Sequence, residues 1–109
     1  MPSMREKKRY IIFKIHSENK LNFTDIKNAI INSVLSWLGE EQTAKSSLQI
    51  IKNLWDEKNQ IGFLRCSPKY VDKIKFSLAL IHQIGDAKVI FQVIRVSGTI
   101  KKALKVTTQ

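Results

Sequence analysis

Hydrophobic and polar positions alternate from Arg9 to Ser17, with Ile11, Phe13 and Ile15 on one face and Tyr10, Ile12, Lys14 and His16 on the other. A repeat of two is the signature of a strand. After the polar turn SENKLN the repeat changes. Phe23, Ile26, Ile30, Val34, Trp37 and Leu38 recur at helical spacing, widened by Ile31 and Leu35. Asn22 is placed to cap this helix, Asp25 suits the positive end of its dipole, and Gly39 is a natural stop. The polar stretch Glu40–Ser47 has no period and is expected to be a connecting loop with at most one short helical turn.

Two further strands are expected over Leu48–Asp56 and Ile61–Cys66, joined by a tight hairpin at EKNQ. Ser67 is then expected to cap a second helix with Pro68 in its first turn, where a missing N–H costs nothing. Its buried stripe is Val71, Ile74, Leu78 and Ile81, and Gly85 should end it. Val89–Ser97 reads as the last strand. TIKKALK, after Gly98, has the pattern of a short basic helix.

The order strand, helix, strand, strand, helix, strand predicts an α+β domain of the ferredoxin-like βαββαβ type. Two helices would pack on one face of a four-stranded antiparallel sheet. Without repeats or linkers the chain is expected to be a single domain, 1–109, with an ordered core over about 5–103. In the last strand Ile90, Ile94 and Val96 should face away from Val89, Phe91 and Val93. Helices cover only one sheet face. The C-terminal segment or a partner protein is therefore expected over part of the other.

At 109 residues and 43% hydrophobic content, the chain can bury one real core. Composition adds one decisive fact, a formal net charge of +10 with a pI near 10.0. Cations of that density gain affinity for polyanions by displacing counterions from phosphates, which favours nucleic acid over an anionic membrane as partner. The one cysteine, Cys66, excludes an internal disulfide and multi-cysteine zinc motifs. With no apolar stretch long enough for a leader or membrane span, a cytoplasmic location is expected.

The candidate chemistry is thin. Asp56 and Glu57 are adjacent, so in a strand they point to opposite faces and chelate poorly. Cys66 alternates with Gly62 and Leu64 as a small core residue, and the only bases for a thiol dyad are His16 and His82. The four glycines stand singly, so no phosphate-cradling loop exists. No catalytic residue and no metal ligand is assigned. The basic residues carry more information. Arg5, Lys7, Lys8 and Arg9 lead into the first strand. Arg95, Lys101, Lys102 and Lys105 lie in a tail that has no acid after Asp86. First and last strands are neighbours in the expected fold, so both basic ends should converge. Lys69 and Lys73 sit one turn apart at the start of the second helix and complete the candidate RNA-binding set.

Several separated blocks also look familiar. MREKKRY, DIKNAI–NS–LSWLGE–TAK, IKNLWDEK, G-x-LRCS-KYVDKI, SLALI-QIGD and VSGTIKKA together resemble the archaeal ribonuclease P protein component 2 family, from about Met4 to Ala103. The resemblance implies an RNA-recognition-motif-like fold in a protein subunit of ribonuclease P. That ribonucleoprotein removes the 5′ leader from precursor tRNA. It further implies that the RNA component is the catalyst and requires magnesium, and that the protein itself binds no cofactor. A second protein subunit of TIM-barrel-like fold would be the partner, in a heterotetramer. One departure matters. Gly62-Phe63-Leu64-Arg65-Cys66 ends in cysteine, and Ile61 precedes it, where RNA-recognition motifs carry stacking aromatics. RNA is therefore expected to meet basic edges and termini as a folded object. The competing readings are a free-standing RNA-binding module and an autonomous metal-dependent nuclease acting through Asp56 and Glu57.

Overall fold

Nine alternating residues build the centre of the molecule. In a computed structural model that describes residues 7–100, strand β1 (Arg9–Ser17) pairs antiparallel with β3 (Ile61–Cys66) on one side and β5 (Ala87–Ser97) on the other. Its inward residues Ile11, Phe13 and Ile15 are fully or almost fully buried beneath two helices, α1 (Phe23–Ser46) and α2 (Val71–Ala79). Ile26, Ile30 and Val34 of α1 and Ile74 and Leu78 of α2 meet them in one core with Leu64, Cys66, Val89 and Phe91.

The sheet has five strands rather than the four expected, in the order β2-β3-β1-β5-β4, every pair antiparallel. The additional strand, β4 (Gln83–Ile84), follows a second helix shorter than the pattern implied. That helix ends at Ala79, and Gly85, at φ 60°, serves the β4–β5 turn instead of stopping it. A two-residue strand carries too little alternation to be read from sequence. The strand expected over Leu48–Asp56 shrinks to β2 (Gln49–Ile50), a 3-10 turn at Lys52–Leu54 and a lone bridge between Asp56 and Ile61.

Two helix boundaries also differ. Asn22 caps α1 as expected, accepting from the Asp25 N–H at 2.8 Å. Gly39 does not end the helix. It takes φ 83° and ψ 167°, a conformation essentially reserved for glycine, and kinks a helix that continues to Ser46. The segment expected as a loop over Glu40–Ser47 is thus helical, closed by Thr43 donating to the Gly39 carbonyl and by Ser47 in the left-handed region. At the second helix Ser67 makes no side-chain cap bond. A 3-10 turn, Pro68–Tyr70, intervenes, and the Ser67 hydroxyl is buried without a partner among the described residues.

Part of the outer sheet face has a cover the expectation did not name, while Ile90 and Ile94 stay exposed and the C-terminal segment lies almost wholly outside the described residues. Ile12 and Phe63 are buried there against Tyr10, Ile51, Leu54 and Ile61, so the chain's own β2–β3 connection supplies cover. A register shift beside Ile12 and Phe13 places a bulge in β5, which turns Val96 inward against Ile11 and leaves Ile94 at the irregularity. Strict alternation had put Val96 with Ile94. The basic helix expected at TIKKALK falls almost wholly on residues 101–109, outside the described part.

Candidate nucleic-acid interface

Strand register decides where the cations go. Arg9 stands opposite Cys66 and Tyr10 opposite Ser97, so the start of β1 and the ends of β3 and β5 meet at one end of the sheet. Lys7 and Lys8 precede β1, Arg95 lies two residues before Ser97, and Lys69 follows Cys66 by three. Arg9 lies beside Gly98, where an added Cβ would sit 3.7 Å from its guanidinium. Arg65, opposite Tyr10, donates to Gln49 across β2 and β3. The Ser67 N–H donates to the Ser46 carbonyl at 2.8 Å, which draws the last turn of α1 and Lys45 toward the same end.

Five of the eight acids among the described residues lie toward the other end, while Glu40, Glu41 and Asp72 lie on the helices nearer the cationic one. Glu18 follows β1, Asp25 lies in the first turn of α1, Asp56 and Glu57 flank the turn before β3, and Asp86 sits between β4 and β5. Leu21 and Gln60 lash these connections together through paired bonds at 3.0 and 3.2 Å. Lys20, Lys58 and Lys88 stand among these acids and bring that end close to neutrality. The molecule is electrically polar along β1, a cationic end opposed to a balanced one. A surface of this kind attracts phosphates over a Debye length and orients the approach.

Of the candidate RNA-binding residues, the structure brings together Lys7, Lys8, Arg9, Lys69 and Arg95. Lys73 does not join them. Its ammonium lies 5.5 Å from the centre of the Tyr70 ring, and it lines a concavity on the helical side with Trp37 and Phe76. Arg5, Lys101, Lys102 and Lys105 lie outside the described residues. Sequence reasoning missed Arg65, whose proximity depends on strand pairing; Lys45, brought near by the continuation of α1 past Gly39, is ion-paired with Glu41 at 3.1 Å.

No fully exposed ring accompanies the cations among the described residues. Phe63, the one aromatic on β3, is 2% exposed. Tyr10, on the outer face at the cationic end, is half-buried against Ile12 and Phe63. The other outward residues of β1 and β5 include Lys14, His16, Ile90, Gln92 and Arg95, with His16 and Gln92 hydrogen bonded at 2.7 Å. The exposed aromatics are Trp37 and Phe76, edge to face at 5.8 Å on the helical side. Trp37, which helical spacing places on the apolar stripe of α1, is 58% exposed.

The candidate catalytic groups are separated or engaged. Cys66 is fully buried, and burial pushes its thiol from 9.0 to about 11 against the opposing pull of Lys8. It faces Arg9 at the start of β1, whereas His16 lies seven residues along the strand, roughly 23 Å away. His82 precedes β4 near the opposite end. Asp56 accepts from the backbone and side-chain nitrogens of Asn59 at 3.0 and 2.8 Å, and these bonds hold its carboxyl below the usual range. Among the described residues no three His, Cys, Asp or Glu side chains are grouped to hold a metal ion. No helix there is long and apolar enough to cross a membrane.

Comparison with known proteins agrees with this architecture. Residues 9–107 match the model of the Rpp14/Pop5 family. The chain is 48% identical over 101 residues to ribonuclease P protein component 2 of Pyrococcus furiosus, covering 93% of this chain and 82% of that one. It is 38% identical over 102 residues to the component 2 of Methanocaldococcus jannaschii, covering 94% and 73%. A chain in the cryo-EM structure of yeast ribonuclease MRP superposes with a TM-score of 0.67 at 11% identity, over 95% of this chain and 93% of that chain, a likeness of fold. With matches along nearly its whole length, the chain belongs to the Rpp14/Pop5 family.

Proposed function

We propose that this chain is a protein subunit of ribonuclease P, the ribonucleoprotein that generates mature tRNA 5′ ends by removing the precursor leader. The observation that carries the reading is the convergence of Lys7, Lys8, Arg9, Lys69 and Arg95 at one end of the sheet in a member of this family. That end meets the ribonuclease P RNA through its phosphates, as a folded surface, because the rings beside the cations, Tyr10 and Tyr70, are half-buried and packed against the protein's own core. The RNA is the catalyst and requires magnesium; the polypeptide contributes no reacting group and binds no cofactor. A second protein subunit of TIM-barrel-like fold shares the task of holding the catalytic RNA, in a heterotetramer with this chain. Precursor tRNA is met in the assembled complex, and the assembly works in the cytoplasm.

Reconstitution tests this reading. The chain, a ribonuclease P RNA and the second subunit are combined, and precursor tRNA cleavage is followed at limiting magnesium with each component omitted in turn. Cleavage should require the RNA and improve only when both proteins are present. Cleavage by the protein alone would make it a nuclease. Indifference of the RNA to the folded chain would favour a free-standing RNA-binding module.

A further inference from the structure

No strand of the sheet carries an aspartate or glutamate, while Arg9, Lys14, Arg65, Lys88 and Arg95 all lie on strands. The β2–β3 connection covers the outer face over Ile12 and Phe63, which leaves the part built by β1, β5 and β4 open. We propose, on the reading of this chain as a ribonuclease P subunit, that this open face docks in the minor groove of an A-form RNA helix. This second RNA contact is continuous with the cationic end through Arg95.

Strand register gives the face its composition. Ile12 stands opposite Arg95, Lys14 opposite Gln92, His16 opposite Ile90, and Lys88 opposite Gln83 of β4. Partners across a ladder share a face, and these alternate with the buried Ile11, Phe13, Ile15, Val89 and Phe91. From Lys88 to Arg95 the strip runs roughly 20 Å. Lys88 and Arg95 mark its ends, Lys14 its flank and Gln92 its middle. Glu18 and Asp86 line a concavity with Lys88 in the connections beyond one end of the strip.

Chemistry selects helical RNA as the occupant. A single strand gains from rings on which bases stack. The aromatics of the outer face are Tyr10, half-buried, and Phe63, buried, and the open part has none. A protein partner calls for a contiguous apolar centre, whereas Ile90 and Ile94 are the only exposed large apolar residues on these strands, set among cations and amides. The A-form minor groove is wide and shallow, lined by 2′-hydroxyls and bordered by phosphates. It asks for cations at the margins, donors in the middle and no ring. Gln92 supplies the donor. The His16 imidazole N–H donates to its amide oxygen at 2.7 Å, which leaves the Gln92 NH2 group without a partner among the described residues. Ile90, 68% exposed beside it, packs on ribose carbons.

The test measures the affinity of the full chain for an RNA duplex of about 16 base pairs, and for the DNA duplex and the single RNA strand of the same sequence. A ribonuclease P RNA and the TIM-barrel-like subunit are the further probes. The RNA duplex should bind more tightly than the other two short probes. Ile90→Glu should weaken duplex binding about tenfold while Ile90→Lys spares it, since only the first sets a like charge against phosphates. Gln92→Ala should narrow the preference for RNA over DNA duplex, because the 2′-hydroxyl separates the two. With Lys14→Ala and Lys88→Ala together, the slope of log affinity against log salt should flatten by roughly 0.9 for each phosphate contact removed. Tighter binding to the single strand would overturn the proposal. So would variants that bind the duplex and the ribonuclease P RNA as the wild type does, or that lose only the protein subunit; the cationic end would then stand alone. A wild-type chain with no affinity for the ribonuclease P RNA would remove the subunit reading itself, and this contact with it.

Discussion

Two residues of β3 show how tightly the centre of the sheet is specified. Gly62 lies opposite Phe13, and a Cβ built on it would fall against the Phe13 ring, far inside van der Waals contact. Phe13 cannot move away, since its ring lies 5.6 Å from that of Phe91 in the core. Gly62→Ala should therefore cost about 1–3 kcal/mol through overpacking, read as a lower midpoint in chemical denaturation. Cys66, four positions on, is packed and protonated. It should resist alkylation at neutral pH in the native protein and react only on unfolding. Its raised thiol also gives stability a pH dependence with a defined sign. Below about pH 9 the thiol is protonated in both states and contributes nothing to the slope. Between the ordinary 9.0 and about 11 the unfolded chain releases the proton while the folded one keeps it, so this contribution to stability falls as pH rises. A denaturation series across that range checks it, with Cys66→Ala as the control that removes this part of the slope.

Among the elements, α1 depends most on single positions. Asn22→Ala should lose about 1 kcal/mol through the vacated cap. Gly39→Ala should cost roughly 1–3 kcal/mol although nothing lies within 4 Å of an added Cβ, because the penalty is in the backbone angles and not in space. Comparing the two variants by thermal unfolding separates cap from kink. The same residue shows why part of the fold was legible in sequence and part was not. The repeat of two in β1 and the repeat of three to four in α1 each report one buried face, and both elements were plain. A glycine after an apolar stripe signals the end of a helix equally well as a kink, and the choice depends on what the next turns can close. Here Thr43 and Ser47 close them. Ser67 before proline carries a cap's signature, yet the chain enters a 3-10 turn and leaves its hydroxyl buried. Local chemistry proposed these boundaries, and tertiary packing decided them.

At the scale of the whole molecule, function follows from how the sheet sorts charge. The clustering of lysines at both termini was visible in sequence, but Arg65 and the acids of the far end join the picture only through strand pairing. The exposure of Trp37 escaped because helical spacing alone does not say how much of a stripe a neighbouring helix covers; its ring meets Phe76 of α2 edge to face, and both stay exposed. The central claim is that the cationic end of the sheet, with its rings half-buried and no catalytic group assembled among the described residues, meets the phosphates of a folded RNA. The most direct test is the salt dependence of affinity for a ribonuclease P RNA. The wild-type chain would be compared with a variant carrying Lys8→Ala, Arg9→Ala, Lys69→Ala and Arg95→Ala together. The wild type should lose affinity steeply as salt rises. In the variant the slope of log affinity against log salt should flatten by roughly 0.7 to 0.9 for each phosphate contact removed, with circular dichroism unchanged. Equal affinity and equal slope for the two proteins would contradict the account.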